Sequence, residues 1–283
     1  MRVGLAVMGA RGWSGALLVG LLVLAAAAGP ALAPQDYAEQ DLTRRLEPPS
    51  AAHWLGTDGL GRDILSRLLW GARLSLAIGV GATALAVAVG IGAGAVAGYF
   101  RGRADRMLMR ATDVFMCIPA LFLVLIVVAV FGASVRNTVL VIGLAYWPPT
   151  ARFVRGEVLA LRGQPFVEAA RALGAADLHI LGGHVLRNAM PLVLTQASLF
   201  VANAVLIESA LSFLGLGVPP PLPSWGAMLA DGRRFLLQGW WIATFPGLAI
   251  FLVVLGFNLL GDGLREALDP RLAAPRRRRG VAA

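Results

Sequence analysis

Six apolar runs separated by polar stretches dominate the chain, at about 13–33, 73–99, 113–132, 137–151, 190–210 and 240–262. Five of them reach the roughly 20 residues that a helix needs to cross a hydrocarbon core about 30 Å thick. The fourth is shorter and runs into "YWPPT", where Pro148 and Pro149 are expected to close it, because proline in a membrane helix leaves carbonyls that neighbours or water must satisfy. The pattern predicts an all-α polytopic membrane protein with six transmembrane helices. In the second run Gly90, Gly94 and Gly98 recur every four residues, a small-residue face that lets another helix approach closely.

Composition supports a bilayer protein and removes several activities. Hydrophobic residues make up 58% of 283 and charged residues 14%, with a mean hydropathy of +0.72. The net charge of +9 comes from arginines between the apolar runs, with no nucleic-acid-binding motif around them. All 25 basic residues are arginine. Without lysine there is no phosphate-binding GxxxxGK[ST] loop and no Schiff-base chemistry, so the chain does not hydrolyse ATP by itself. No HExxH, GxSxG or spaced Cys/His set occurs, and neither a metal nor a cofactor is called for. The single cysteine, Cys117, lies in an apolar stretch and reads as a packing residue.

Arginine placement orients the chain. With the N-terminus inside, 17 of the 25 arginines fall on the cytoplasmic side, which puts both termini there. Residues 1–33 read as an N-terminal transmembrane helix that also resembles a signal peptide, since Arg2 and Arg11 precede the apolar run and "ALA" closes it at 31–33. Residues 34–72 form an extracytoplasmic segment, 73–271 a core of five further helices, and 272–283 a basic cytoplasmic tail carrying Arg276 to Arg279, which reads as a topology and anionic-lipid signal.

The largest cytoplasmic loop, about 152–189, contains "GQPFVEAARALGAADLHILGGHVLRNAMP". Pro165 suits a first helical position and Gly174 the left-handed position that ends a helix, so a short helix is expected between them. Asp177 is placed to cap a second short helix, which Gly182 and Gly183 would interrupt. Together these make a helix–turn–helix knuckle. Its alanines keep the surface thin, and Glu168 offers one charge to a partner. An amphipathic helix lying on lipid would carry bulkier residues on one face.

Glu168-Ala169-Ala170 followed by Gly174 resembles the E-A-A, three residues, G signature of ATP-binding-cassette importer permeases; further on, Arg187 stands where many members have proline, and Pro191 follows. Three further blocks, "HWLGTDGLGRDILSRLLWGARLSL" at 53–76, "LSFLGLGVPPPLPSWGAMLADGR" at 211–233 and "FPGLAIFLVVLGFNLLGDGLREALDPR" at the C-terminal end, are similar to the C-type subunit of dipeptide, oligopeptide and nickel importers. The resemblance implies a type I importer permease fold in the bacterial inner membrane. It also implies a related B-type permease, two cytoplasmic ATPase subunits and an extracytoplasmic solute-binding protein as partners, with peptides, nickel chelates or glutathione-like solutes as cargo. Glu168, Ala169, Ala170, Leu173, Gly174 and Ala175 would then seat the knuckle in an ATPase groove.

Other residues are candidates for smaller roles. Glu208, an ionisable group at the outer end of the fifth run, and Trp225 are expected at the path or a gate. Asp58, Arg62 and Asp63 are expected to order the outer segment by capping and pairing. His53, His179 and His184 lack ligand spacing and read as hydrogen-bonding groups. A self-sufficient secondary transporter or a polytopic membrane enzyme are the competing classes; the first would show repeats with paired broken helices, and the second a nucleophile and base at one depth.

Overall fold

The computed structural model describes residues 8–268, so Arg2 and the basic tail lie outside the described residues. The chain forms α1 (Ala10–Leu32), α2 (Ile64–Phe100), α3 (Gly102–Met116), α4 (Ala120–Phe131), α5 (Val135–Arg162), α6 (Pro165–Ala172), α7 (Asp177–His179), α8 (Arg187–Phe213), α9 (Trp225–Gly232) and α10 (Trp240–Leu268). All six apolar runs fall in helices. Four stretches are long and apolar enough to span a membrane: α1, α2, α7 through α8, and α10; α3 and α4 make a fifth as a pair bent by 77°. The remaining long helix, α5, adds arginines and a glutamate beyond its apolar half.

Packing sorts the helix ends into two groups and shows six passes between them. At one end, a methyl on Gly12 would meet the Gly263 backbone at 2.8 Å, Arg155 pairs with Asp105, and Tyr99 bonds to Asp177. At the other end, Gly29 abuts Leu69, Trp225 bonds to Leu68, Trp241 bonds to Thr57, and Ala133 shares a cavity with Phe213. The start of α1, the junction of α2 with α3, the α5–α8 loop and the end of α10 are therefore on one side. Residues 34–63, the α4–α5 turn and 214–239 are on the other.

Several boundaries differ from the sequence reading. Helix α2 starts at Ile64, not near 73, because Asp63 caps it by accepting from the Ser66 amide at 2.8 Å. The third span is broken at Ile118–Pro119, since Pro119 cannot continue the hydrogen-bond ladder. Cys117 lies at this break and is exposed, so it packs in no core of this chain. Pro148 and Pro149 do not close the fourth span. Helix α5 runs on to Arg162, supported along its length by α2. Gly90 and Gly98 lie within a methyl radius of Thr150 and Arg155, at 2.6 and 2.9 Å from an added Cβ. The glycine face is thus used inside this chain, against its own α5.

The segment 34–63 is ordered by a buried polar network, as capping and pairing predict. Asp63 accepts from His53 Nδ1 at 3.0 Å and from the Ser66 hydroxyl at 2.8 Å. Arg62 Nε donates to Asp58 at 2.7 Å and its Nη2 reaches Asp231 at 3.4 Å. Buried charges of this kind persist only when paired and hydrogen-bonded, as these are.

Candidate functional site

The knuckle between α5 and α8 is built from local signals. Pro165 takes the first helical position of α6, and the helix ends on a Schellman turn. Gly174 adopts φ +79°, its amide donates to Arg171 O at 3.0 Å, and the Ala175 amide donates to Ala170 O at 3.1 Å. A residue with a Cβ would be strained at that φ.

Its base is anchored and its tip is open. Val167 is fully buried among Tyr99, Val154, Val158, Ile180 and Val185. The Tyr99 hydroxyl donates to Asp177 Oδ1 at 2.7 Å, and Arg171 Nη2 lies 3.4 Å from that hydroxyl and 3.7 Å from the same carboxylate. The hydrogen bond to Tyr99 holds the Arg171 guanidinium above its ordinary pKa, so it stays charged. Glu168, Ala169, Leu173 and Gly174 are exposed, while Ala170 and Ala175 are half-buried where the turn closes. Leu173 is 89% and Leu178 74% exposed, two bulky apolar side chains offered at the tip.

The second arm differs from its expected form. Asp177 is the first residue of α7 and caps nothing; its carboxylate is occupied by Tyr99. Gly182 and Gly183 do not interrupt the helix but lie in a π-helical stretch, Ile180–Leu186, that leads straight into α8. Arg187 is the first α-helical residue after it and Pro191 follows inside α8, so the knuckle is continuous with the fifth span. Tyr99, Val167 and Leu178 were not singled out by the sequence; only the exposed apolar Leu178 beside a turn gives a local signal.

Glu208 and Trp225 lie elsewhere, buried to 0% and 1% exposure between α8, α9 and α2. Glu208 Oε1 accepts from Ser212 at 2.7 Å, Ser212 is 3.4 Å from Ser224, and the Trp225 amide donates to Ser75 at 3.2 Å. Trp225 ties α9 to α2, whereas the Glu208 bond stays within α8. At mid-length, α5 and α8, with Val87 of α2, border an open pocket of about 270 Å³ lined by Tyr146, Thr150 and the exposed Gln196 and Asn203. No cluster of three metal-ligating side chains occurs among the described residues; His179 and His184 stack edge-on 5.7 Å apart.

Comparison with known proteins places the chain among transport proteins. Residues 90–274 match the family described as "Binding-protein-dependent transport system inner membrane component". The chain belongs to this family. Residues 11–49 match the "N-terminal TM domain of oligopeptide transport permease C", which covers α1 and the start of the segment that follows it.

Among the relatives, a "Probable D,D-dipeptide transport system permease protein" of Escherichia coli is 42% identical over 90% of this chain and 86% of its own length. A glutathione transport system permease protein of Pectobacterium atrosepticum is 44% identical over 90% and 85%. A dipeptide transport system permease protein of Alkalihalophilus pseudofirmus is 41% identical over 91% and 85%. An inward-facing structure of the MetNI methionine ABC transporter shares the fold, with a TM-score of 0.55, 19% identity, and coverage of 71% of this chain and 96% of that one. As a member of the family, the chain is a multi-pass transport permease of the inner membrane and not an enzyme.

Proposed function

We propose that the chain is the C-type permease subunit of an ATP-driven importer of peptides or peptide-like solutes, working with a related B-type permease, two cytoplasmic ATPase subunits and an extracytoplasmic binding protein. The observation that carries this reading is the knuckle: a two-turn helix whose base is locked by Val167 and Tyr99 while Glu168, Ala169 and Leu173 are left open. Glu168, Ala169, Ala170, Leu173, Gly174 and Ala175 form the seat for an ATPase subunit. The exposed leucine enters an apolar pocket there, and Glu168 takes a basic partner. Peptide cargo is supported by the names of the relatives, which include dipeptide and glutathione permeases.

Orientation follows from the two groups of helix ends. The group holding the knuckle also holds most of the arginines, so that group is cytoplasmic and both termini with it. Residues 1–33 stay in the mature chain, because α1 packs against α10 through Gly12 and Gly15 and against α2 through Gly29. The outer group, with its cavities of about 480 and 440 Å³ between the 34–63 segment and the 214–239 segment, receives the binding protein. Glu208 and Trp225 serve the gate from behind, Trp225 by tying the start of α9 to α2 and Glu208 by holding Ser212 of α8 beside Ser224 at the start of α9.

The test is a cross-link. In a Cys117→Ser background, Ala169→Cys should cross-link to a cysteine-scanned ATPase subunit in native membranes, and Ser50→Cys should not. Cross-linking of neither, or of Ser50→Cys, would contradict the assignment.

A further inference from the structure

The cavity between α2, α5 and α8 is about 270 Å³ and is walled by Tyr146, Pro149, Thr150, Gln196, Phe200 and Asn203, with the Tyr146 and Phe200 rings 5.1 Å apart. Its depth is the middle of the bundle: Gln196 and Asn203 fall in the centre of Arg187–Phe213, and Tyr146 in the centre of Val135–Arg162. Polar side chains at that depth are costly and usually face a water-filled space or a ligand. Both amides are exposed to the pocket, and two neighbouring facts set them apart. Asn188 and Asn258, also in long helices, satisfy themselves by donating to the preceding turn at 2.7 Å, to His184 O and Val254 O. Gln196 and Asn203 hydrogen-bond to no described residue and stand seven apart on one face of α8. Pro149, in the same wall, has no N–H for the Ala145 carbonyl, and such a freed carbonyl at membrane depth is satisfied by a neighbouring group or by water.

The wall carries no Asp, Glu, Arg or His. We infer that this cavity is a binding subsite for the uncharged peptide groups of the cargo, with Gln196 and Asn203 as its recognising residues and Tyr146 closing one side. A carboxamide offers two donors and an acceptor, the complement of a peptide N–H and C=O. A site of amides without ions holds a peptide backbone of any side-chain sequence and does not trap a charged terminus, which suits a solute that must leave as well as enter. This inference rests on the import reading above and deepens it.

The experiment uses the complete transporter in proteoliposomes, with Cys117→Ser as background. A water-soluble cationic methanethiosulfonate should label Gln196→Cys and Asn203→Cys at least tenfold faster than Leu194→Cys, which is exposed on another face of α8. Uptake of di- and tripeptides from a casein hydrolysate, per ATP hydrolysed, should fall at least tenfold in the double variant Gln196→Leu/Asn203→Leu and stay unchanged in Leu194→Ala. Equal labelling at all three positions would mean a lipid-facing or helix-covered surface and would overturn the subsite. Unchanged uptake in the double variant, or no hydrolysate peptide imported by the wild type, would overturn peptide recognition. If these fail while Glu168→Ala still uncouples the ATPase, the permease reading stands and only the subsite is lost; if Glu168→Ala is silent as well, the reading itself fails.

Discussion

The Tyr99 hydroxyl donates to the Asp177 carboxylate at 2.7 Å, joining the last turn of α2 to the knuckle's second arm across 78 residues of sequence. Because Arg171 reaches the same two groups, the turn between α6 and α7 is tied to the bundle at one point. Tyr99→Phe keeps the buried ring and removes the hydroxyl with its bonds to Asp177 and Arg171, a net loss of about 0.5–1.5 kcal/mol for each. The variant should insert normally, while the number of solutes moved per ATP falls severalfold as the knuckle loosens. Equal coupling in Tyr99→Phe and wild type, measured by simultaneous ATPase and uptake assays, would show that the tie carries no force.

The approach of α2 to α5 depends on glycines at particular turns. Gly90→Val would drive a methyl group into Thr150, whereas an added Cβ on Gly92 of the same helix meets nothing within 4 Å. Overpacking of this kind costs about 1–3 kcal/mol. In detergent, Gly90→Val should lower the melting temperature and Gly92→Val should not, which separates packing from helix propensity because both introduce the same residue. A matching loss in the two variants would place the glycine effect in propensity alone.

Much of the knuckle was legible because its signals are local. Pro165, the small residues of α6 and Gly174 lie within ten positions, and each acts on its own turn. What stayed hidden depends on distant partners. Asp177 reads as a cap until Tyr99 is seen to occupy it, and Gly182–Gly183 read as a break until the π-helical stretch carries the chain through to Arg187. The six passes were visible in hydropathy, but the bend at Pro119 and the extension of α5 past Pro148 and Pro149 depend on which neighbours support the helix, and that is not written in the run itself. Glu208 stood out as an ionisable group near membrane depth; only the fold shows that it is enclosed with Ser212 and Ser224.

At the outer end, Asp63 has three duties: it caps α2 through the Ser66 amide, accepts from the Ser66 hydroxyl, and accepts from His53. Asp63→Ala should cost at least the roughly 0.5–2 kcal/mol of a lost cap, and more through the orphaned imidazole. The 34–63 segment should become sensitive to protease added from outside, with helix content nearly unchanged. Wild-type resistance would mean that the segment is held by Arg62, Asp58 and Trp241 alone.

Topology is open to direct labelling. Because Cys117 is exposed at the α3–α4 break, it must first be replaced. In that background Ser50→Cys should react with an impermeant maleimide added from outside, and Ala176→Cys only after the membrane is opened. Reaction of Ser50→Cys solely from the cytoplasmic side would invert the orientation.

The central claim is that the exposed tip of the knuckle, Glu168 to Ala175, transmits force from separate ATPase subunits. The measurement that tests it most directly is ATP hydrolysis and uptake recorded in the same vesicles for the wild type, Glu168→Ala and Gly174→Val, each reconstituted with its partner subunits. Glu168→Ala removes a charge-assisted contact, and at about 1.5 kcal/mol or more this weakens ATPase assembly on the order of tenfold. Gly174→Val places a β-branched residue at φ +79° and breaks the turn. Both variants should insert at wild-type levels while binding-protein-stimulated hydrolysis and uptake fall together; wild-type hydrolysis and uptake in both would contradict the claim.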